Sequence, residues 1–364
     1  PTRRSSDLAK IENILNFKND YPQHHLFKLE QNYRSTQTIV DAANSLIKKN
    51  QNQIPKEVYS ENEVGNPIKV IEAFTDVEEG YQVVGDIFDN LNNKQLTYND
   101  FAILYRTNAQ SRIFEEALRK RNIPYKIYGG LSFYQRKEVK DLIAYFRMVV
   151  NPNDSEALKR IINFPARGIG DTTLEKIEQA ASSMGVSMWT IIKHPGHNPA
   201  NLNKGTLAKI EGFVALIEGF AAENEKNDAY DLARMIANQS GLIKELHMGD
   251  TPEERSRYEN VEELLTGISD YVTANSNGGE TPRLAGFLEN VALLTDLDTE
   301  KPEERNRITM MTIHSAKGLE FPFVYIVGME EKLFPSELSA FSPHELEEER
   351  RLFYVALTRT KNEV

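Results

Sequence analysis

The sequence contains no cysteine in its 364 residues. Disulfides, thiolate metal sites and cysteine nucleophiles are therefore excluded. No apolar run is long enough to span a bilayer. No secretory signal pattern opens the chain, so a soluble, intracellular, cytoplasmic protein is expected. His24, His25 and His314 lack the carboxylate–histidine spacing of a metal set. No Gly-x-Ser-x-Gly or paired-carboxylate hydrolase pattern stands out, and there is no fixed-period repeat or long low-complexity tract. What is present is length for two or three domains and 40% hydrophobic residues, enough for real cores. The net charge of −11 argues against indiscriminate coating of a polyanion, but it leaves room for a local basic track. Residues 101–170 hold 13 Lys/Arg against 6 Asp/Glu, a window of +7, so the remainder sums to −18. That asymmetry points to a charged ligand, with a solvated basic face as the alternative.

Both ends look cut. Residues 1–8, Pro-Thr-Arg-Arg-Ser-Ser-Asp-Leu, lack an initiator Met and any apolar pattern. They read like a translated sequencing-adapter oligonucleotide and are expected to be an assembly artefact. At the far end the chain is expected to stop just after a helix, with no closing strand. Between the ends, residues 25–29 read as a short strand, and Ser35 or Thr36 caps a helix whose apolar face is Ile39, Ala43, Leu46 and Ile47. Residues 51–66 read as a loop, 68–74 as a strand, 77–90 as a helix, 101–105 as a buried strand, 111–121 as a helix and 125–128 as a strand. This alternation predicts a mostly parallel sheet covered on both faces. From Gly129-Gly130 the texture changes. Leu142, Tyr145, Phe146 and Val149 form a helical stripe, and helical patterns recur at 155–163, 171–183, 205–222, 228–239, 257–274 and 282–294. The sheet resumes at Ile308, and a final helix is expected over 345–357. The fold class is thus α/β: a sheet domain over 9–129 and 305–364, with an all-helical insertion over 130–304.

Four stretches carry candidate chemistry. The string Ile308 to Phe321 reads ITMMTIHSAKGLEF, a strand breaking into a polar loop before a second apolar run. It would put His314, Lys317 and Glu320 at the edge of a sheet, where ligands of α/β folds bind; a plain turn between core strands is the alternative. In Leu29 to Ser35, LEQNYRS, Tyr33 can stack on a flat base and Arg34 offers a planar fork for phosphate oxygens, although a packing Tyr beside a surface Arg fits as well. In Glu347 to Arg359, EEERRLFYVALTR, the terminal Arg could simply complement the helix dipole, and Glu347–Glu349 read as a solvated face. Arg106-Thr107-Asn108 follows a strand and precedes a helix, where a phosphate and sugar could be held. In the helical region, Phe164 to Asp171 contains a Gly168-Ile169-Gly170 turn opening a helix beside Arg167. Such glycines allow backbone N–H groups to approach phosphate, but a structural turn is equally compatible. Tyr128 to Asp141 mixes basic and aromatic residues, with Phe133 either at a strand junction or in the core.

Together these strings resemble motifs V, IV, VI and IVa of the superfamily 1A DNA helicases, the UvrD/Rep/PcrA group, over essentially all of residues 9–364. The resemblance implies a RecA-like second motor domain, 2A, carrying a helical insertion, 2B, that could swivel on hinges near Gly129-Gly130 and residues 301–306. It implies that Tyr33 stacks on adenine, that Arg34 and Arg359 are catalytic at the γ-phosphate, Arg359 as an arginine finger, and that Glu320 contacts the nucleotide ribose or its phosphate network. By the same resemblance His314, Arg106 and Asn108 contact single-stranded DNA, while Arg167, Gly168 and Gly170 make a duplex contact, with Lys159 and Arg160 adding long-range attraction. ATP and Mg²⁺ are the implied cofactors. The implied partners are single-stranded DNA, single-strand/duplex junctions and repair or transcription proteins, with no membrane. The phosphate loop ending in Gly-Lys-Ser/Thr and the acidic pair that hold Mg²⁺·ATP are missing from the sequence. The resemblance therefore implies the second half of a motor, with the Mg²⁺ ligands in a preceding domain, and a chain inactive alone. A helicase–nuclease subunit of the AddA/RecB kind and a non-catalytic DNA-binding module are the alternatives.

Overall fold

A computed structural model describes residues 11–194, 198–247, 251–276, 280–296, 306–340 and 342–364. The eight-residue artefact expected at the start, the 304/305 domain boundary and nearly all of the second hinge lie outside the described residues. The chain divides into two compact units, Pro1–Gly130 with Pro302–Val364, and Leu131–Lys301.

The first unit begins with α1 (Ile11–Asp20), β1 (Gln31–Asn32), α2 (Gln37–Ile47), β2 (Tyr59–Ser60), α3 (Asp76–Lys94), β3 (Phe101–Tyr105), α4 (Ser111–Lys120) and β4 (Tyr125–Ile127). The second unit is helical: α5 (Lys137–Val150), α6 (Ser155–Ile161), α7 (Asp171–Met184), α8 (Met188–Lys193), α9 (Lys204–Glu223), α10 (Ala229–Gln239), α11 (Leu242–His247), α12 (Pro252–Asn275) and α13 (Leu284–Asp296). The chain then returns to the first unit as β5 (Ile308–Thr312), β6 (Phe321–Ile326), α14 (Glu337–Ala340), α15 (Pro343–Leu357) and β7 (Thr360–Glu363).

Five strands form one sheet in the order β4-β5-β3-β6-β7, and every pairing is parallel. Alternation along β3 divides its side chains between two cores. Phe101, Ile103 and Tyr105 face Val84, Ile87, Phe114 and Leu118 of α3 and α4. Ala102 and Leu104 join Met311, Ile313, Val324, Phe334 and Ala356 on the other face. Burial on both faces explains why β3 reads as a continuous apolar run rather than an alternating one. Thr75 caps α3 by accepting from the Glu78 N–H, which satisfies one of the orphan donors at that end.

In the helical unit α5 is the central element. The stripe expected from its sequence, Leu142, Tyr145, Phe146 and Val149, is buried, and so are the flanking Ile143, Ala144 and Met148. A buried polar network also holds the unit: Arg136 donates to the Asn260 side-chain oxygen at 2.8 Å, and Asn260 donates to Glu138 at 2.5 Å. Helices α8 and α11 escape sequence reasoning because six residues are too few to show a 3.6-residue period.

Three expectations are corrected. Residues 25–29 do not form a strand. Phe27 and Leu29 are 86% and 87% exposed, and pairing is limited to β1 with β2. Residues 68–74 are likewise not a strand: among the described residues a single backbone bond, Lys69 N to Val364 O at 3.1 Å, is not a ladder, and without a ladder an apolar run does not join a sheet. Conversely, the expected lack of a closing strand is wrong. Thr360–Glu363 pairs in parallel with β6 through Phe321↔Thr360 and Phe323↔Glu363. Its sequence, Thr-Lys-Asn-Glu, has no apolar signal, and only its partner makes it a strand.

Phe146→Ala removes a fully buried ring from the helical core, and about 3–5 kcal/mol of stability should go with it. Trp189, the sole tryptophan, is buried in that same core. Its fluorescence should therefore report a lower denaturant midpoint for the variant, and an unchanged midpoint would contradict the packing described.

Candidate functional site

Two clusters of charged side chains occupy the sheet unit, one at each end of the strands. The first lies where β6 and β7 begin. The Asn32 side-chain oxygen accepts from the backbone N–H groups of Arg34 and Ser35, at 2.7 and 2.9 Å, a local turn that Asn favours. Ser35 Oγ donates to Thr360 O at 2.6 Å and the Thr36 N–H donates to Lys361 O at 3.1 Å, which stitches this loop to β7. Arg34 then reaches inward: its Nε donates to Glu320 at 2.5 Å and its Nη1 to the Thr358 carbonyl at 2.8 Å. Arg359 donates from Nη1 to Leu319 O, from Nε to Val355 O and from Nη2 to Thr358 Oγ1, each at 3.1 Å. Lys361 Nζ completes the group at 2.8 Å from Glu320. Three segments distant in sequence thus bring Arg34, Glu320 and Arg359 together. Tyr33 stands beside them, 79% exposed as a residue, with its hydroxyl donated to Gln31 at 2.7 Å.

Three cations surround one carboxylate here. The Lys361 ammonium and the Arg34 guanidinium, both hydrogen-bonded to Glu320, hold its carboxyl down at about 2. Burial, and after it the neighbouring Arg34 charge, push the Arg359 pKa below its ordinary value, with Glu320 opposing. Burial is the larger cause and the Arg34 charge the second, and an anion bound beside the two guanidiniums would oppose both. The donor set therefore fits a phosphate. Among the described residues no group of three or more His, Cys, Asp or Glu side chains is gathered around a potential metal position. Lys361 was not singled out by sequence reasoning, because the strand that aims it is not legible as one.

The second cluster lies where β3 and β5 end. Arg106 leaves β3 with its backbone N–H, like that of Thr107, donated to the Gln110 side-chain oxygen at 2.9 Å. The register Tyr105↔Thr312 and the bond from Ile313 N to Tyr105 O place His314 next to it. His314 as a residue is exposed, but packed neighbours desolvate its ring and, with the Arg106 charge, push its pKa below the ordinary value; Glu349 opposes. Asn108 is exposed. Lys317 and Gly318 are exposed as well, and Gly318 takes φ +92°, a left-handed conformation that favours glycine.

Two sequence expectations change here. His314 and Glu320 do not share an edge. Because β5 and β6 run parallel, residues 313–320 must cross the sheet from the end of one strand to the start of the next, and Ile313, Ala316 and Leu319 pack on its face as they do so. Nor is Glu347–Glu349 a solvated face. Glu347 and Glu349 are buried, and only Glu348 is exposed. Glu347 accepts from the Gln51 and Asn52 N–H groups at 2.6 and 3.3 Å, and Glu349 is paired with Arg106.

The remaining candidates belong to the helical unit. Arg167 turns inward: its Nη1 donates to Ile161 O and Pro165 O, and its Nη2 to Tyr145 Oη and Ser240 O, at 2.8–3.2 Å. Gly168 takes φ +71°, and its carbonyl accepts from Lys209 at 3.1 Å. Gly170 starts α7 with no side-chain cap and open space around its Cα.

The Glu320 pairing makes a pH prediction. A carboxyl lowered to about 2 contributes stability that is present above its ordinary pKa of 4.5 and is lost as pH falls through about 2. A carbon-detected NMR titration should show Glu320 ionised at pH 3.5 in the native chain, and its midpoint should rise in Arg34→Ala. A midpoint near 4.5 in the native chain would refute the ion-paired geometry.

Sequence comparison finds relatives of the chain. The ATP-dependent DNA helicase PcrA of Staphylococcus aureus is 41% identical over 355 residues, which is 97% of this chain and 48% of the relative. The protein of the same name from Staphylococcus epidermidis matches at the same identity and coverage. The chain thus spans about half the length of the curated relatives it matches. Residues 27–364 match the family model described as the UvrD-like helicase C-terminal domain, and the chain belongs to that family.

Proposed function

We propose that this chain is the C-terminal half of an ATP-dependent 3′-to-5′ DNA helicase or translocase of repair or replication, with the sheet unit as the RecA-like motor domain 2A and the helical unit as 2B. The observation that carries the reading is the convergence of Arg34, Glu320, Arg359 and Lys361 beside the exposed Tyr33 ring. In this reading Tyr33 stacks on the adenine, and Arg34 and Arg359 meet the terminal phosphate. Charge spreads over the phosphoryl oxygens as they leave, and a preorganised guanidinium stabilises it. Arg359 suits that role because three bonds already fix it at the end of α15, so little ordering remains to be done during reaction. Glu320 acts through the network: its salt bridges to Arg34 and Lys361 keep two mutually repelling cations in place.

The opposite edge is the strand-binding side, with Arg106, Asn108 and His314 meeting single-stranded DNA. A depressed His314 pKa keeps that ring neutral near pH 7, so it would contribute hydrogen bonding more than charge. In the helical unit the start of α7 at Gly168 and Gly170 is the candidate duplex contact. Arg167, spent on four intramolecular acceptors, shapes that turn rather than touching DNA. Mg²⁺, when bound with ATP, supplies charge neutralisation at the phosphates; its ligands belong to the preceding motor domain.

The test is Arg359→Ala in the full-length protein. ATP turnover should fall by about 10³–10⁵, while affinity for single-stranded DNA is retained. Turnover within a few-fold of wild type would remove the motor reading and favour a binding module.

A further inference from the structure

Glu349 is a buried carboxylate, its side chain 7% exposed, and it has no part in the roles assigned above. Burying a carboxylate is costly unless the charge is paired and its oxygens are bonded. Both conditions are met by one residue, Arg106. Its Nε lies 3.1 Å from each Glu349 oxygen, and its Nη2 lies 2.8 Å from Oε1. Fork-to-fork pairing of this kind fixes the plane of the guanidinium as well as its position. The backbone of Arg106 is held independently by Gln110. Arg106 is therefore fixed at both ends. Its Nη1 is the one guanidinium nitrogen without a protein partner among the described residues. His314 follows the end of the adjoining strand, near enough for the Arg106 charge to act on its ring.

We infer that Glu349 is a positioning residue for strand binding: it clamps the Nε–Nη2 edge of Arg106 so that Nη1 is presented, with His314, to the backbone of a single DNA strand. The inference rests on the reading that this edge binds a strand. A free arginine loses rotamer freedom when it meets a phosphate, whereas a clamped one has lost it already on folding. The pair carries no net charge, so Arg106 contributes geometry more than long-range attraction. Glu349 also stands on α15, the helix whose far end holds Thr358 and Arg359. The same rigid element therefore touches both charged clusters.

The experiment measures binding of a fluorescein-labelled oligothymidylate to the purified chain by anisotropy at fixed salt. The proteins compared are wild type, Arg106→Ala, Glu349→Ala, Glu349→Gln and the Arg106→Ala/Glu349→Ala double variant. Each alanine variant should weaken binding by on the order of tenfold, and the double variant should bind no more weakly than Arg106→Ala alone. Glu349→Gln keeps an oxygen acceptor for the fork and should recover most of the affinity. Should Glu349→Ala fail to fold, as judged by its thermal midpoint, the cycle is run with Glu349→Met, which fills the buried space but offers the fork no acceptor. Losses that multiply in the double variant would overturn the inference and leave the strand reading intact, as would a Glu349→Gln variant that binds tighter than wild type. If Arg106→Ala binds like wild type, the strand reading of this edge falls, and the inference falls with it.

Discussion

The sheet unit depends on one constraint: β5, β3 and β6 are neighbours and all run the same way. A short connection between parallel strands cannot turn back at one edge. It has to travel the length of the sheet, on the order of 3.3 Å per strand residue. Residues 313–320 do this with Ile313, Ala316 and Leu319 turned to the core. The polar residues between them are left at intervals along the route, His314 at one end and Glu320 at the other. The segment richest in sequence signal is thus a tether between two charged clusters rather than part of one.

Helix α15 makes the return crossing. Glu349 lies at the strand-ending edge against Arg106, and Thr358 lies at the strand-starting edge, where its carbonyl accepts from Arg34. Glu347 anchors the same helix to the loop after α2 through Gln51 and Asn52. Two physical links therefore run between the edges, one a loop and one a helix, and both pack on the same face. The two edges are thus joined by continuous packing on one face of the sheet.

Much of the architecture was legible in advance. The run Phe101–Tyr105, the helix from Gln37 and the stripe along α5 all carry enough period or enough apolar length to declare themselves. The misreadings share a cause. Residues 68–74 look like a strand and are not one, while Thr360–Glu363 look like nothing and form one. Strand character is decided by a partner's backbone, and a partner distant in sequence leaves no mark on the local pattern. The Glu347–Glu349 run misled for a related reason. Three acidic residues in a row resemble a wet surface until Arg106 and the Gln51–Asn52 N–H groups, far away in the chain, bury two of them.

The sequence by itself determined the longer helices, the buried central strand, the helical middle and the identity of the polar strings, because those follow from local period and from short motifs. Only the tertiary structure decided which strings meet. It joined Arg34, Glu320, Arg359 and Lys361, separated His314 from Glu320, turned Arg167 inward and gave Glu349 its partner. The physical reason is that hydrogen bonds and ion pairs act over a few ångströms in space. The residues they join here stand up to 325 positions apart in the chain.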